Sequence, residues 1–250
     1  MGTIALLGSE FHLDAVDRAC EISSFSLSYS AAEQDVTSFC QKGTRKRAGG
    51  RKDWTLDLSG FFDPSSGDFG SIGSNSDVLL VPDPTGSGLE PAEGDTAFIG
   101  YGMAAGYDVG GDHGDIAPFS LRLGSAGTAP LARGRLIAVT AGAVTNETST
   151  ARQIYGADGA NARLIVAIAA LTPGGSGGTI DVTVSTDDNA GMTSATTQHA
   201  TGSVGTSGTE YSTIIDLGDC SGDDYVQTEV DADAAVTQLF VAVGVYVVAA

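Results

Sequence analysis

Two stretches in the first quarter of the chain alternate apolar and polar residues with a period of two. They are Phe25-Ser26-Leu27-Ser28-Tyr29-Ser30 and Asp53-Trp54-Thr55-Leu56-Asp57-Leu58-Ser59. Such alternation turns one face of an extended chain toward a core and the other toward water. It predicts a strand over about 22–30 and another from 53. Phe61-Phe62-Asp63-Pro64 ends the second, because proline donates nothing to a ladder and restricts its predecessor. Val78-Leu79-Leu80-Val81 predicts a short apolar strand closed by Pro82 and Pro84. Thr96–Met103 alternates weakly, Tyr107–Asp115 reads as a turn, and Pro118–Leu123 reads as a short strand. Residues 1–17 read as an arm anchored by Ile4, Leu6, Leu7, Phe11 and Leu13.

Beyond Arg133 the pattern is cleaner. Arg135–Thr140 and Arg163–Leu171 are apolar runs, and Thr179–Ser185 alternates strictly. Tyr211–Leu217, Tyr225–Val230 and Thr237–Val248 complete the series. Leu239–Val248 is apolar on both faces, which places it between a core and a second body such as a neighbouring subunit. Many short strands with turn signals between them predict an all-β chain, a sandwich or barrel-like fold with at most one short helix.

Composition supports this: 35 glycines and 7 prolines among 250 residues favour short strands and turns. The length allows one large β domain or two small ones. A compositional shift near residue 130 divides a half over 1–130 from a β-rich half over 131–250, which is either the same sandwich or a second domain. The longest apolar run, Leu239–Ala250, is too short and too β-branched for a membrane-spanning helix, and the opening residues lack a basic signal-peptide region.

Charge changes the picture. The formal net charge is −19, with 31 acidic and 12 basic residues, and from Leu164 onward there are eleven carboxylates and no Lys or Arg. Such a surface repels polyanions and suits high ionic strength, where screening relieves self-repulsion; a halophilic or marine source fits it. Against that background six of the twelve basic residues fall in one segment: Lys42, Arg45, Lys46, Arg47, Arg51 and Lys52. They lie in an inter-strand loop over 31–52 that carries no strand pattern. Loops of that length usually act as binding arms or stay disordered. A basic run can grip nucleic-acid phosphates, yet no nucleic-acid-binding motif accompanies this one. In an acidic chain the simpler partner is another copy of the same chain, met by complementary potentials; a solvated loop is the plainer alternative.

Candidate chemistry is sparse. His12, His113 and His199 are scattered outside any nucleophile, zinc or acid–base motif and read as solvated loop residues, so no catalytic residue is assigned. Asp108, Asp112 and Asp115 cluster among glycines as a weak candidate for a hard cation, without EF-hand order; a solvated turn is the simpler reading. Asp187-Asp188-Asn189 and Asp223-Asp224 read as turns, and Gly174–Gly178 as a connector. Cys20, Cys40 and Cys220 fit no zinc spacing and read as free thiols. No cofactor is expected.

Three pieces of the chain together resemble a known family. They are Asp35-Val36-Thr37-Ser38-Phe39, the basic loop ending Gly49-Gly50-Arg51-Lys52-Asp53-Trp54, and Leu58-Ser59-Gly60-Phe61-Phe62-Asp63. This run of about thirty residues resembles the major tail tube proteins of long-tailed viruses. The resemblance implies a β-sandwich subunit, without enzymatic activity, that forms stacked and typically hexameric rings. Those rings make a hollow tube in the virion tail, assembled in the host cytoplasm, through which viral DNA passes without specific binding. It implies tape measure, terminator and baseplate proteins as partners and no membrane. It makes Lys42, Arg45, Lys46, Arg47, Arg51, Lys52 and Phe39 the contacts between subunits or rings. Trp54, Leu56, Leu58 and Phe61 then form the core of the motif strand. A capsid decoration or baseplate sandwich protein, and a cation- or carbohydrate-binding β module, are the alternative readings.

Overall fold

The computed structural model describes residues 9–14, 16–35, 47–62, 72–87, 90–112, 116–126, 131–154, 162–171, 180–200, 211–220 and 222–247. Among them the chain is all-β, and every pairing is antiparallel. One 3-10 turn, Ala19–Glu21, is the helical element, and no described helix is long and apolar enough to cross a membrane.

The N-terminal strands are β1 (Glu10–Leu13), β2 (Val16–Asp17), β3 (Ile22–Asp35), β4 (Arg47–Phe61), β5 (Asn75–Val81), β6 (Thr96–Val109) and β7 (Pro118–Ser125). They are followed by β8 (Ala132–Thr148), β9 (Arg152–Gln153), β10 (Ala162–Leu171), β11 (Ile180–Asp187), β12 (Thr196–Ala200), β13 (Tyr211–Asp219) and β14 (Tyr225–Val247). One path of pairing runs β3-β4-β7-β6-β5-β1-β2; β6 also pairs with β8, which leads through β14 to β10, β13, β11, β12 and β9.

Three apolar clusters fill the spaces between the strands. The first collects Phe11, Trp54, Leu56, Leu58, Val78, Leu80, Phe119, Leu121 and Leu123. The second holds Leu79, Val81, Ala97, Ile99, Leu136, Ile165, Ala167 and Ala242. The third holds Leu164, Val166, Ile168, Val182, Val184, Val226, Val241 and Val243. Period-two geometry explains the division. On β5, Val78 and Leu80 enter the first cluster while Leu79 and Val81 enter the second. On β10 and β14, successive residues likewise alternate between the second and third. These strands are therefore buried on both faces, which is why they read as continuous apolar runs. For Val241–Val243 this answers the two-faced pattern within the chain itself: no neighbouring subunit is needed to cover it.

Several boundaries differ from the sequence reading. The segments expected as 225–230 and 237–248 are one strand, β14, carried through register shifts between Asp231 and Gln238. The strand β6 continues to Val109, into the expected turn. His12, expected in solvated loop, is 5% exposed in β1; its Nε2 lies 3.2 Å from Oε1 of Glu10. Ladder pairing with β5 draws this short strand inward, because Phe11 and Leu13 need a core. Beside it, Arg18 and Glu21 form a buried ion pair at 3.0 Å.

Candidate assembly surface

The family-like motif lies on the hairpin of β3 and β4. Its proximal half borders the core: Phe25 stands opposite Leu58 and Leu27 opposite Leu56, while Tyr29, opposite Trp54, is exposed. Directly opposed residues share a face of the sheet. Trp54, Leu56 and Leu58 are fully buried, while Phe25 and Leu27 on the flanking strand are half-buried. Each fully buried large side chain contributes roughly 1.5–3 kcal/mol by area. On the outer face of β4, Arg122 clamps Asp57 with Nε donating to Oδ1 at 2.6 Å and Nη2 to Oδ2 at 3.3 Å. The hydrogen bond from Arg122 holds the Asp57 carboxyl below its ordinary value, and the carboxylate raises the guanidinium in turn. Partial burial raises the Tyr29 phenol.

Beyond Tyr29 the described side chains of the hairpin are exposed up to Asp53. Pairing continues through Ala31 opposite Lys52, Glu33 opposite Gly49 and Asp35 opposite Arg47, with a register shift between Ala31 and Glu33. Residues Ser28 to Glu33, with Asp35, Lys52 and Asp53, are exposed wherever side chains are described. Among the described residues β3 pairs with β4 alone, so its outer edge is open. An open edge strand presents unpaired N–H and C=O groups and is a ready template for another chain. The ladder thus extends from both sides into the loop expected over 31–52. The sequence concealed this because a strand exposed on both faces has no hydrophobic alternation to show.

Of the expected interface residues, Arg47 and Arg51 lie in β4 and Lys52 is exposed on the same strand. Phe39, Lys42, Arg45 and Lys46 fall outside the described residues. Phe61, expected in the core of the motif strand, is instead 52% exposed. Parity is the reason: Trp54, Leu56, Leu58 and Gly60 point inward, so Phe61 points outward and Phe62 packs against the core. Phe61 stands opposite Pro118, and Val109 opposite Phe119 one residue along. Val109 and Ile116 are exposed apolar side chains as well, but Val109 stands opposite the buried Phe119 and so belongs to the other face of the sheet from Phe61. Counting parity from Trp54 would have placed Phe61 on the outward face.

Asp108 and Asp112 are exposed and Asp115 lies outside the described residues. Among the described residues, no three His, Cys, Asp or Glu side chains converge as a metal site would require. Cys20 is an exposed free thiol and Cys220 a buried one; Cys40 lies outside the described residues.

No protein-family model and no curated protein matches the chain. Structural comparison places it beside a chain of the virion of a native gene transfer agent particle at 20% identity and TM-score 0.37, over 50% of this chain and 95% of that one. A chain from the tail of an empty gene transfer agent particle gives 21% identity and TM-score 0.33, over 44% of this chain and 80% of the other. The Dit protein of phage SPP1, described as a hub of the adsorption apparatus, gives 10% identity and TM-score 0.33 over 96% of this chain and 99% of its own.

Proposed function

We propose that the chain is a structural protein of a viral tail, without enzymatic activity, whose copies form stacked, hexameric rings around a hollow tube for DNA. The observation that carries this reading is the β3–β4 hairpin. Its family-like motif is anchored by Trp54, Leu56 and Leu58, and among the described residues the β3 edge opposite β4 is unpaired. The segment joining them carries Lys42, Arg45 and Lys46, with Arg47 at the start of β4. A cationic arm on a chain of net charge −19 finds its complement on another copy. An acceptor on a different surface from the arm makes the contact heterologous, the kind that builds rings or filaments. Carboxylates lining the lumen would let DNA slide, since phosphate neutralisation dominates non-specific affinity. In this role the protein resides in the virion tail, is assembled in the host cytoplasm, and meets tape measure, terminator and baseplate proteins.

Electron microscopy of the purified protein in low and in molar salt tests the reading. Hollow stacked rings are expected, and neutralising Arg45, Lys46 and Arg47 together should abolish stacking while leaving the subunit folded. Uniform small particles at every salt and concentration would overturn it in favour of a decoration or baseplate protein. A small particle stabilised by calcium would point to a cation-binding module. A halophilic source predicts loss of compactness at low salt; full folding there would refute it.

A further inference from the structure

A second cationic feature lies far from the hairpin in sequence. A cleft of about 360 Å³ is lined by Thr96, Arg133, Gly134, Arg135, Ile154 and Val245. In the ladders Arg135 stands opposite Thr96 and Arg133 opposite Val245, so both arginines share the face that bounds the cleft. Arg135 is tied down, its Nη1 donating to the Gly94 carbonyl at 2.8 Å. A Cβ on Gly94 would lie 3.6 Å from Nη1 of Arg152, so a third guanidinium adjoins that same turn. Glu93 engages Arg152 at 3.3 Å, and Asp224 meets the cleft wall through its carbonyl, which accepts the Ile154 N–H at 2.8 Å. Arg133 is exposed and enters no ion pair among the described residues. In a chain with 31 carboxylates, this is an apolar floor rimmed by surplus positive charge.

A complementary charge exists on the same chain. Between β11 and β12 the Asp187 carboxylate accepts the backbone N–H of Ser194 at 2.8 Å and of Asn189 at 3.2 Å. The Asn189 side chain accepts the Gly191 N–H at 2.9 Å and donates to Thr193 Oγ1 at 3.2 Å. These bonds order the turn, in which Asp188 is exposed with its Oδ1 accepting the Asn189 side-chain N–H at 3.2 Å. A turn already held in shape loses little freedom on docking. No Lys or Arg follows Arg163 in the sequence, so the strand pair bearing this turn has no basic side chain of its own.

We propose that the Arg133–Arg135 cleft receives the Asp188 turn of a second copy, forming an inter-subunit contact distinct from the basic hairpin. Guanidinium forks suit a carboxylate, and the uncommitted Arg133 is the group that would take it. This inference rests on the reading that copies of the chain assemble.

The test uses the full chain in a Cys20→Ser, Cys40→Ser background. Arg133→Cys and Asp188→Cys variants, mixed and mildly oxidised, should give a disulfide-linked dimer that neither gives alone. Arg133→Glu should weaken self-association about tenfold, and mixing it with Asp188→Lys should restore it. Tubes forming without the crosslink, and unaffected by Arg133→Glu, would overturn the cleft contact and leave the tube reading intact. A crosslink in small particles that never form tubes would sustain the contact and overturn the tube. Absence of both association and crosslink would overturn both.

Discussion

Gly60 lies so close to Glu21 that a Cβ built on it would fall 1.8 Å from the Glu21 carbonyl oxygen. The obstacle is backbone, not a flexible side-chain end. The glycine of the Gly60-Phe61-Phe62 end therefore lets β4 pass against the 3-10 turn, where the buried Arg18–Glu21 pair sits. Gly60→Ala should force the strand off the turn and cost about 3 kcal/mol or more, read as a lowered denaturation midpoint. Wild-type stability in that variant would show that the turn yields easily.

Trp54 occupies space that two glycines leave open. A Cβ on Gly102 would stand 3.2 Å from its Cη2, and one on Gly100 3.5 Å from its Cζ2. Trp54→Ala empties the largest fully buried side chain of the first cluster and should cost about 3–5 kcal/mol in chemical denaturation. Gly102→Val should also destabilise, from the opposite cause of overpacking.

Much of this was legible in the sequence. Strands with one buried face and one wet face, such as β4 and β11, announce themselves by alternation. Core strands buried on both faces, such as β10, announce themselves as apolar runs. What stayed hidden lacks either signal. The distal part of β3 is wet on both faces where its side chains are described, and β1 is too short to show a period. Arg133 and Arg135 sit two residues apart at the start of β8, and only the fold brings Arg152 beside them. The basic segment stood out by charge alone, but charge says nothing about where the ladder stops.

The Asp187 carboxyl is held below its ordinary value near 3.8, first by the Ser194 N–H. A depressed carboxyl stabilises the fold above its unfolded value and loses that contribution as pH falls through the folded one. The β11–β12 turn should therefore loosen below about pH 3.8, and Asp187→Asn should lower stability at pH 7 while flattening the acid limb. Thermal unfolding from pH 7 to 2.5 reads both effects. An unchanged acid limb would remove the carboxylate from this role.

The Asp57–Arg122 clamp has short geometry but sits in solvent. Arg122→Ala should shift stability only slightly, and less again in molar salt, because exposed pairs are screened. A larger loss that persists in high salt would mean that the guanidinium stem is packing against β4.

The strand β14 has a consequence for how the chain comes to be folded. It pairs with β8, β9, β10 and β11, all of which precede it in the sequence. A ribosome delivers those four strands before the one that joins them. Until Tyr225–Val247 emerges, β10 has no partner from β14 on its flank, and its apolar faces await cover. Long-range pairing of this kind is slow, and nascent chains that wait for it are open to misassembly. Closure of the second and third clusters waits on β14, and a chain stalled before it keeps apolar surface uncovered of the kind chaperones bind.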